Sequence, residues 1–481
     1  MEFPLGGYNQ DYGSRLSVTT AVNCHLEPNR DGTFARVRRS PGLASQYDVG
    51  LGPIRGVFEI QGELFVVSRN KLYKIDAADV ITELGDVGGS TTPVFMAANG
   101  ADDNQIMISS DGNGYIYDAA AGTPFQQITD PDFSAGLGVA SLNQVFWVPR
   151  PESNTLQGSD TANGLSWGAT RRVSAEQDPD LLVQAIRLTS ALWLMGKGTC
   201  EYWQVDSADT TNPIRPVAGA TIERGVGANN SIATWQNNAF WLADDLTVWQ
   251  ISGNQAQKIS DLNIEYAIRG DGKKPGYPRP QNAIGFFIDH PVHKQYVLTF
   301  PGAAVTWIYD VTTRLWHTRE SNSIGRWRAS CSALFNNEVL VGDYRLGKIW
   351  RLTEDVYTED GETLKFQIVP PAIRNKDNDM TVESVELFME VGVGDISGID
   401  DFGILKTLPI DPKIQMEYSK DGGATWKSKP DLSLGRIGQR DIRVKPRLFG
   451  RVRKEFPFLL RFTVTDDVPV EMYELHVEVD Y

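Results

Sequence analysis

Seven stretches of this chain repeat one pattern at nearly constant spacing. They begin at Ile54 (IRGVFEIQGELFVVSRNKLYKID), Val94, Gly136, Val183, Ser231, Asn282 and Ser330, so successive starts lie 40, 42, 47, 48, 51 and 48 residues apart. Each holds a strand, a polar turn, a second strand such as LFVVS or AFWLA, another turn, and a third strand such as KLYKI, TVWQI or KIWRL. Period-two alternation between Gly, Asn and Asp turns signals β-strands, and helical periodicity is sparse. One such unit cannot bury its own apolar faces, whereas four-stranded sheets packed radially bury each other's. The spacing therefore predicts an all-β chain with a β-propeller over residues 51–360. Seven blades are expected, or six where the first and last units share one.

The flanks read differently. Residues 1–50 contain SVTTAVNCHLEPN and TFARVRRSPGL around an Asp31-Gly32 turn, which predicts a hairpin or a strand donated to a blade. Pro370 and Pro371 break the pattern, and over residues 361–481 the runs VESVELFMEVGVG, PKIQMEYS, FPFLLRFTVT and MYELHVEVDY predict antiparallel strands of a β-sandwich. Trp147, Trp193, Trp203, Trp241, Trp249, Trp307 and Trp350 fall in the propeller strands, where packing between blades is the expectation rather than sugar stacking.

With 46 basic and 61 acidic residues the formal charge is −15, which argues against a general nucleic-acid binder, because phosphate contacts need clustered Lys and Arg. Cys24, Cys200 and Cys331 are odd in number and far apart, so they form neither a disulfide framework nor a metal knuckle, and a reducing compartment is expected. The amino terminus lacks a basic segment followed by an apolar run, and no stretch reaches the length of a membrane span, so no membrane anchor is expected.

Chemistry is sparse. Phosphate-loop, dinucleotide, nucleophile-elbow and zincin motifs are absent. YSKDGGATW matches the Asp-box turn of sialidase propellers through Ser419, Asp421, Gly423, Thr425 and Trp426. Those residue types suffice to build a turn, and a glycosidase needs a pair of carboxylates in a cleft, so the hairpin is read as structural. It occurs once, outside the repeats. His290 and His293 in DHPVH are too few for a metal site, and Asn375, Asp377 and Asp379 lack the glycine and glutamate timing of a calcium loop. No catalytic residue, metal ligand or cofactor site is expected.

One segment opposes the acidic whole. Residues 435–462 carry nine basic residues, Arg436, Arg440, Arg443, Lys445, Arg447, Arg451, Arg453, Lys454 and Arg461, against Asp441 and Glu455 alone. Three readings stand open: docking of an acidic protein, with Arg436, Arg440, Arg443, Arg447, Arg451 and Arg453 as contacts; a solvated basic face; or a phosphate track.

RRSPGL from Arg38, NKLYKI from Asn70, CEYWQV from Cys200, ERGVGANNSI from Glu223 and FGRVRKEFPFLLRFTV from Phe449 occur in collinear order over almost the whole chain. In this order the chain resembles the tail-hub, or nozzle, proteins of short-tailed bacteriophages, also called packaged-DNA stabilisation proteins. The resemblance implies a structural component of the virion tail, assembled in the host cytoplasm as a six-fold ring. This ring would extend the portal and adaptor channel, retain packaged DNA and conduct it on ejection. It also implies contacts with an adaptor or head-completion ring, a fibre or tailspike, and a plug or needle. Turn-rich insertions at residues 155–168 and 269–282 are candidate channel loops. A glycan-binding or glycan-cleaving tail propeller and a peptide-binding cytoplasmic propeller are the alternatives; the latter's WD signature is absent.

Overall fold

The structure is a computed structural model that describes residues 2–3, 20–28, 34–100, 105–134, 136–175, 180–322, 324–375, 377–394, 398–399, 405–406 and 411–480. Two compact units share the chain: residues 45–303 with 328–351, and residues 1–44 with 304–327 and 352–481.

The first unit is built from the repeats. Five four-stranded antiparallel sheets follow one another, each from four consecutive strands. The first comprises Ile54–Ile60, Glu63–Ser68, Lys71–Ile75 and Ile81–Asp86, and the last Ala233–Trp235, Asn238–Leu242, Val248–Ser252 and Gln255–Lys258. The hairpin Ile284–Asp289/Lys294–Phe300 and the antiparallel strands Ala329–Phe335, Glu338–Asp343 and Lys348–Thr353 complete the series.

Middle strands such as VFWVP and ALWLMG are buried along their whole length, because both faces of each sheet meet a neighbour. Phe65, Val67 and Leu72 of the first sheet pack on Ile106, Ile108 and Tyr117 of the second. Trp147 packs on Leu192 and Leu194, and Trp193 and Met195 on Trp241. Phe240 then stacks on Phe287 and Tyr296, with ring centroids 5.5 and 5.2 Å apart. Finally Phe335, Leu340 and Ile349 join one cluster with Ile54, Leu64 and Val66, so the last sheet packs on the first and the ring closes. Ser330 Oγ donates to the Ile54 carbonyl at 3.0 Å across that junction. This is a β-propeller. Trp147, Trp193, Trp203, Trp241 and Trp350 are buried and Trp249 is half-buried in this unit, so packing accounts for them; Trp307, expected here, is buried in a strand that belongs to the second unit.

The second unit is a sandwich of two sheets. One has the order Cys24–Pro28, Phe34–Arg39, Glu471–Asp480, Met380–Met389, Arg447–Val452. The other contains Val305–Asp310, Leu315–Thr318, Thr20–Val22, Phe366–Val369, Leu459–Val464, Lys413–Ser419 and Lys427–Ser428, in that order. Between them lies a core that includes Leu26, Val37, Phe366, Val385, Met416, Phe449, Phe462 and Leu475. The amino-terminal hairpin thus extends the sheet formed by the carboxy-terminal strand, with Val37 opposite Met472. Arg39, in RRSPGL, is 2% exposed and donates to the backbone carbonyls of Val468 (2.9 Å), Tyr357 (3.3 Å), Asp466 and Leu364, tying together loops whose carbonyls would otherwise be buried unpaired.

Candidate docking surface

The Asp-box hairpin joins Lys413–Ser419 to Lys427–Ser428, with Tyr418 opposite Lys427. Gly422 and Gly423 take φ of +71° and +92°, values that a side chain resists. Ser419 Oγ donates to Asp421 Oδ1 at 2.7 Å and accepts from the Gly423 amide at 2.8 Å. Asp421 accepts from the Thr425 amide at 2.9 Å and the Thr425 hydroxyl at 2.6 Å. The Thr425 and Ser419 hydroxyls and the Thr425 amide hold the carboxyl down to about 2. An acid ionised at every physiological pH has no proton to give, so Asp421 cannot be a general acid, and its lone pairs are committed to the turn. Trp426 is half-buried with the Arg461 guanidinium 4.3 Å from its ring centre.

Along the basic run, Phe449 and Val452 point into the core while Arg447, Arg451 and Arg453 face solvent, a pattern out of strict alternation because the strand's register with Met380–Met389 shifts here. The six named arginines do not act alike. Arg443 and Lys445 clasp Glu386, Lys445 at 3.1 Å. Burial pushes that carboxyl up, but hydrogen bonds from Lys445 and Arg443 outweigh it, and the group stays below its ordinary value. Arg451 pairs with Asp379 at 2.8 Å, and Asp379 also accepts the Lys454 amide at 3.0 Å. Arg436, Arg440, Arg447 and Arg453 are exposed and have no carboxylate partner among the described residues. Asp379 is therefore occupied by a structural ion pair, and Asn375 caps its own turn by accepting from the Asp377 amide at 3.0 Å.

Sequence reasoning overlooked three lysines on the adjoining hairpin. Lys429 Nζ donates to the Arg447 and Leu448 carbonyls at 2.6 and 3.0 Å and lies 4.4 Å from the Phe449 ring centre. Lys420, beside Tyr418, is lowered by burial and then by the charges of Lys427 and Lys429. The spacing of lysines 420, 427 and 429 around the turn was the available signal, since a hairpin folds them together.

In the propeller, a cavity of about 340 Å³ is lined by Asp111, Glu152, Arg150, Lys197, Asn229 and others. Asp111 accepts from the Thr92 hydroxyl and lies 3.5 Å from Arg55. The Arg55 side chain is wholly buried and donates to the carbonyls of Thr92 (2.6 Å), Arg69 (2.8 Å) and Gly88 (2.7 Å), so this cluster staples sheets together. His290 Nδ1 accepts the Val292 and His293 amides at 3.4 Å, a turn cap. Residues 155–168 are not a loop: they are strand Thr155–Asp160, a turn, and the start of strand Asn163–Ser174. Residues 269–282 follow a helix, Leu262–Arg269, whose first amides are capped by Asp261 Oδ1 at 3.0 Å.

Fold and sites together define a propeller-plus-sandwich protein whose conspicuous surface is a basic face of the sandwich. A family model described as bacteriophage P22 Gp10, beta-propeller, matches residues 2–357, and one described as bacteriophage P22 Gp10, beta-sandwich, matches residues 365–480. The chain belongs to the bacteriophage P22 Gp10 family, a family of structural proteins of the phage tail. No curated protein matches it in sequence. Solved structures similar to it include a streptogramin B lyase, at 11% identity and a TM-score of 0.42 over 65% of this chain and 96% of that one. The Staphylococcus aureus virginiamycin B lyase is 12% identical, TM-score 0.42, over 65% and 98%. The Cps50 (Swd1) β-propeller domain of Myceliophteria thermophila is 10% identical, TM-score 0.41, over 65% and 100%. No helix among the described residues is long and apolar enough to cross a membrane.

Proposed function

We propose that this protein is the nozzle, or hub, of a short phage tail: a ring of six copies that extends the portal and adaptor channel, retains the packaged genome and conducts it during ejection. The family match across both the propeller and the sandwich carries this reading. The propeller supplies the scaffold, with seven blades or six if the first and last repeats share one, and cyclic repetition of one chain makes a conduit. The net charge of −15 suits a channel that must not hold DNA, because acids facing a lumen repel phosphates and let the genome slide. The exposed Arg436, Arg440, Arg447 and Arg453 are docking contacts for the adaptor ring, with fibre or tailspike and plug or needle as further partners. The chain has no hydrolytic activity and assembles in the host cytoplasm.

Electron-microscope class averages of the purified chain, alone and mixed with its phage's portal and adaptor rings, test the reading. Six-fold tubes seated on the rings are the expected result. Monomers in both samples overturn it and return a glycan-directed propeller to the front.

A further inference from the structure

Leu448 is 86% exposed, the highest value among the exposed large hydrophobic side chains of the described residues, and its φ is +62°. Leucine in the left-handed region costs free energy that glycine or asparagine would avoid, and an apolar side chain in water returns none of it. The surroundings hold it there. Val382 faces Gly450 and Ser384 faces Arg447, so the register slips by one residue and Leu448 is thrown outward on a bulge. Lys429 fixes the bulge by binding the carbonyls of Arg447 and Leu448.

Charge surrounds the knob unevenly. Lys420, Lys427, Lys429 and Arg447 make no ion pair among the described residues. A groove of about 660 Å³ is lined by Leu448, with Lys445 and Arg447 as well as Glu383 and Glu478 in its wall. On a chain of net charge −15, four uncompensated cations around one exposed leucine form a local exception.

We propose that this face, Lys420, Lys427 and Lys429 with the Arg447–Leu448 bulge, docks another protein of the tail, one presenting carboxylates around an apolar socket that receives Leu448. The inference rests on the tail assignment and adds a surface to it. Carboxylates would complement the lysines, and the socket would bury the most exposed large apolar side chain of the described residues. A nucleic acid fits less well. Base stacking needs open aromatic faces, and here Lys429 lies over Phe449 and Arg461 over Trp426.

The test uses phage particles assembled with the full chain carrying Leu448→p-benzoylphenylalanine, irradiated and mapped by mass spectrometry. The expected product is a cross-link to an Asp/Glu-rich segment of a different tail protein, reduced at least ten-fold by Lys420→Glu with Lys427→Glu. In parallel, Leu448→Gly should leave the melting temperature of the purified chain unchanged or raised, and lower its incorporation into particles ten-fold. Cross-linking to DNA, to another copy of this chain or to nothing, in particles that contain the chain, overturns the docking proposal and leaves the tail assignment standing. Unaltered yield with the two lysines reversed, or normal incorporation of Leu448→Gly, does the same. Absence of the unsubstituted chain from purified particles overturns the tail assignment itself, and the proposal with it.

Discussion

Replacing Asp421 with alanine should destabilise the sandwich in a way that depends on pH and involves no catalysis. The carboxyl sits at about 2 in the folded chain against 3.8 for the free group. At about 1.36 kcal/mol per unit, that difference is worth at most roughly 2.4 kcal/mol at neutral pH. Asp421 is half-exposed, and screening by solvent brings the expectation to about 1 kcal/mol. Its bonds to Ser419 and Thr425 give a sum of the same order, at about 1 kcal/mol each less the cost of stripping water. Because the folded value is depressed, the stabilisation is complete above pH 3.8 and is lost as pH falls toward 2, with roughly half remaining at pH 3. Scanning calorimetry of the parent chain and Asp421→Ala at pH 7, 5, 4 and 3 should show the sandwich transition lowered by roughly 2–4 °C at pH 7, converging at the acid end. An equal offset at every pH would refute the assignment of the stabilisation to this carboxylate. Loss of a measurable glycan-hydrolysing activity in the variant would refute the structural reading altogether.

Two further outcomes follow from burial. The Arg319 guanidinium is 1% exposed, lies 3.8 Å from Glu359 and 4.0 Å from the centre of the Trp327 ring, and Trp327 Nε1 donates to Glu359 at 2.9 Å. Glu359→Ala leaves that charge buried without its partner and should cost about 3–5 kcal/mol, while Glu359→Gln, which keeps an acceptor for Trp327, should cost less; urea midpoints compare them. Burial pushes the Cys331 thiol up to about 12 and those of Cys24 and Cys200 higher still. Iodoacetamide at pH 8 should therefore spare the buried Cys24 and Cys200 in the native chain, react with the half-buried Cys331 more slowly than with a free thiol, and modify all three in denaturant, as intact-mass measurement would show.

The repeats were legible because their inner strands alternate apolar residues between turn signals, as in ELFVVSRNKLYKI. The fourth strand of each blade was not. Ile81–Asp86, Phe125–Gln127 and Gln255–Lys258 are short and largely solvent-facing, so burial imposes no pattern on them. The Asp-box turn was equally legible, since its hydrogen bonds join residues at most four apart.

The fate of the basic run was not local. Which arginines are neutralised depends on Glu386 and Asp379, 57 and 72 residues away, and which lysines join them depends on how the hairpin lies beside the strand Arg447–Val452. The position of Leu448 follows from a slipped register with Met380–Met389 that no short window of sequence contains. The sequence by itself determined the class of fold and the residues that build its Asp-box turn, because period and turn chemistry are properties of neighbouring residues. Tertiary structure alone decided where the amino-terminal hairpin pairs, which charges survive and that Leu448 is thrown outward, because sheet edges and ion pairs choose partners by burial among residues far apart in sequence.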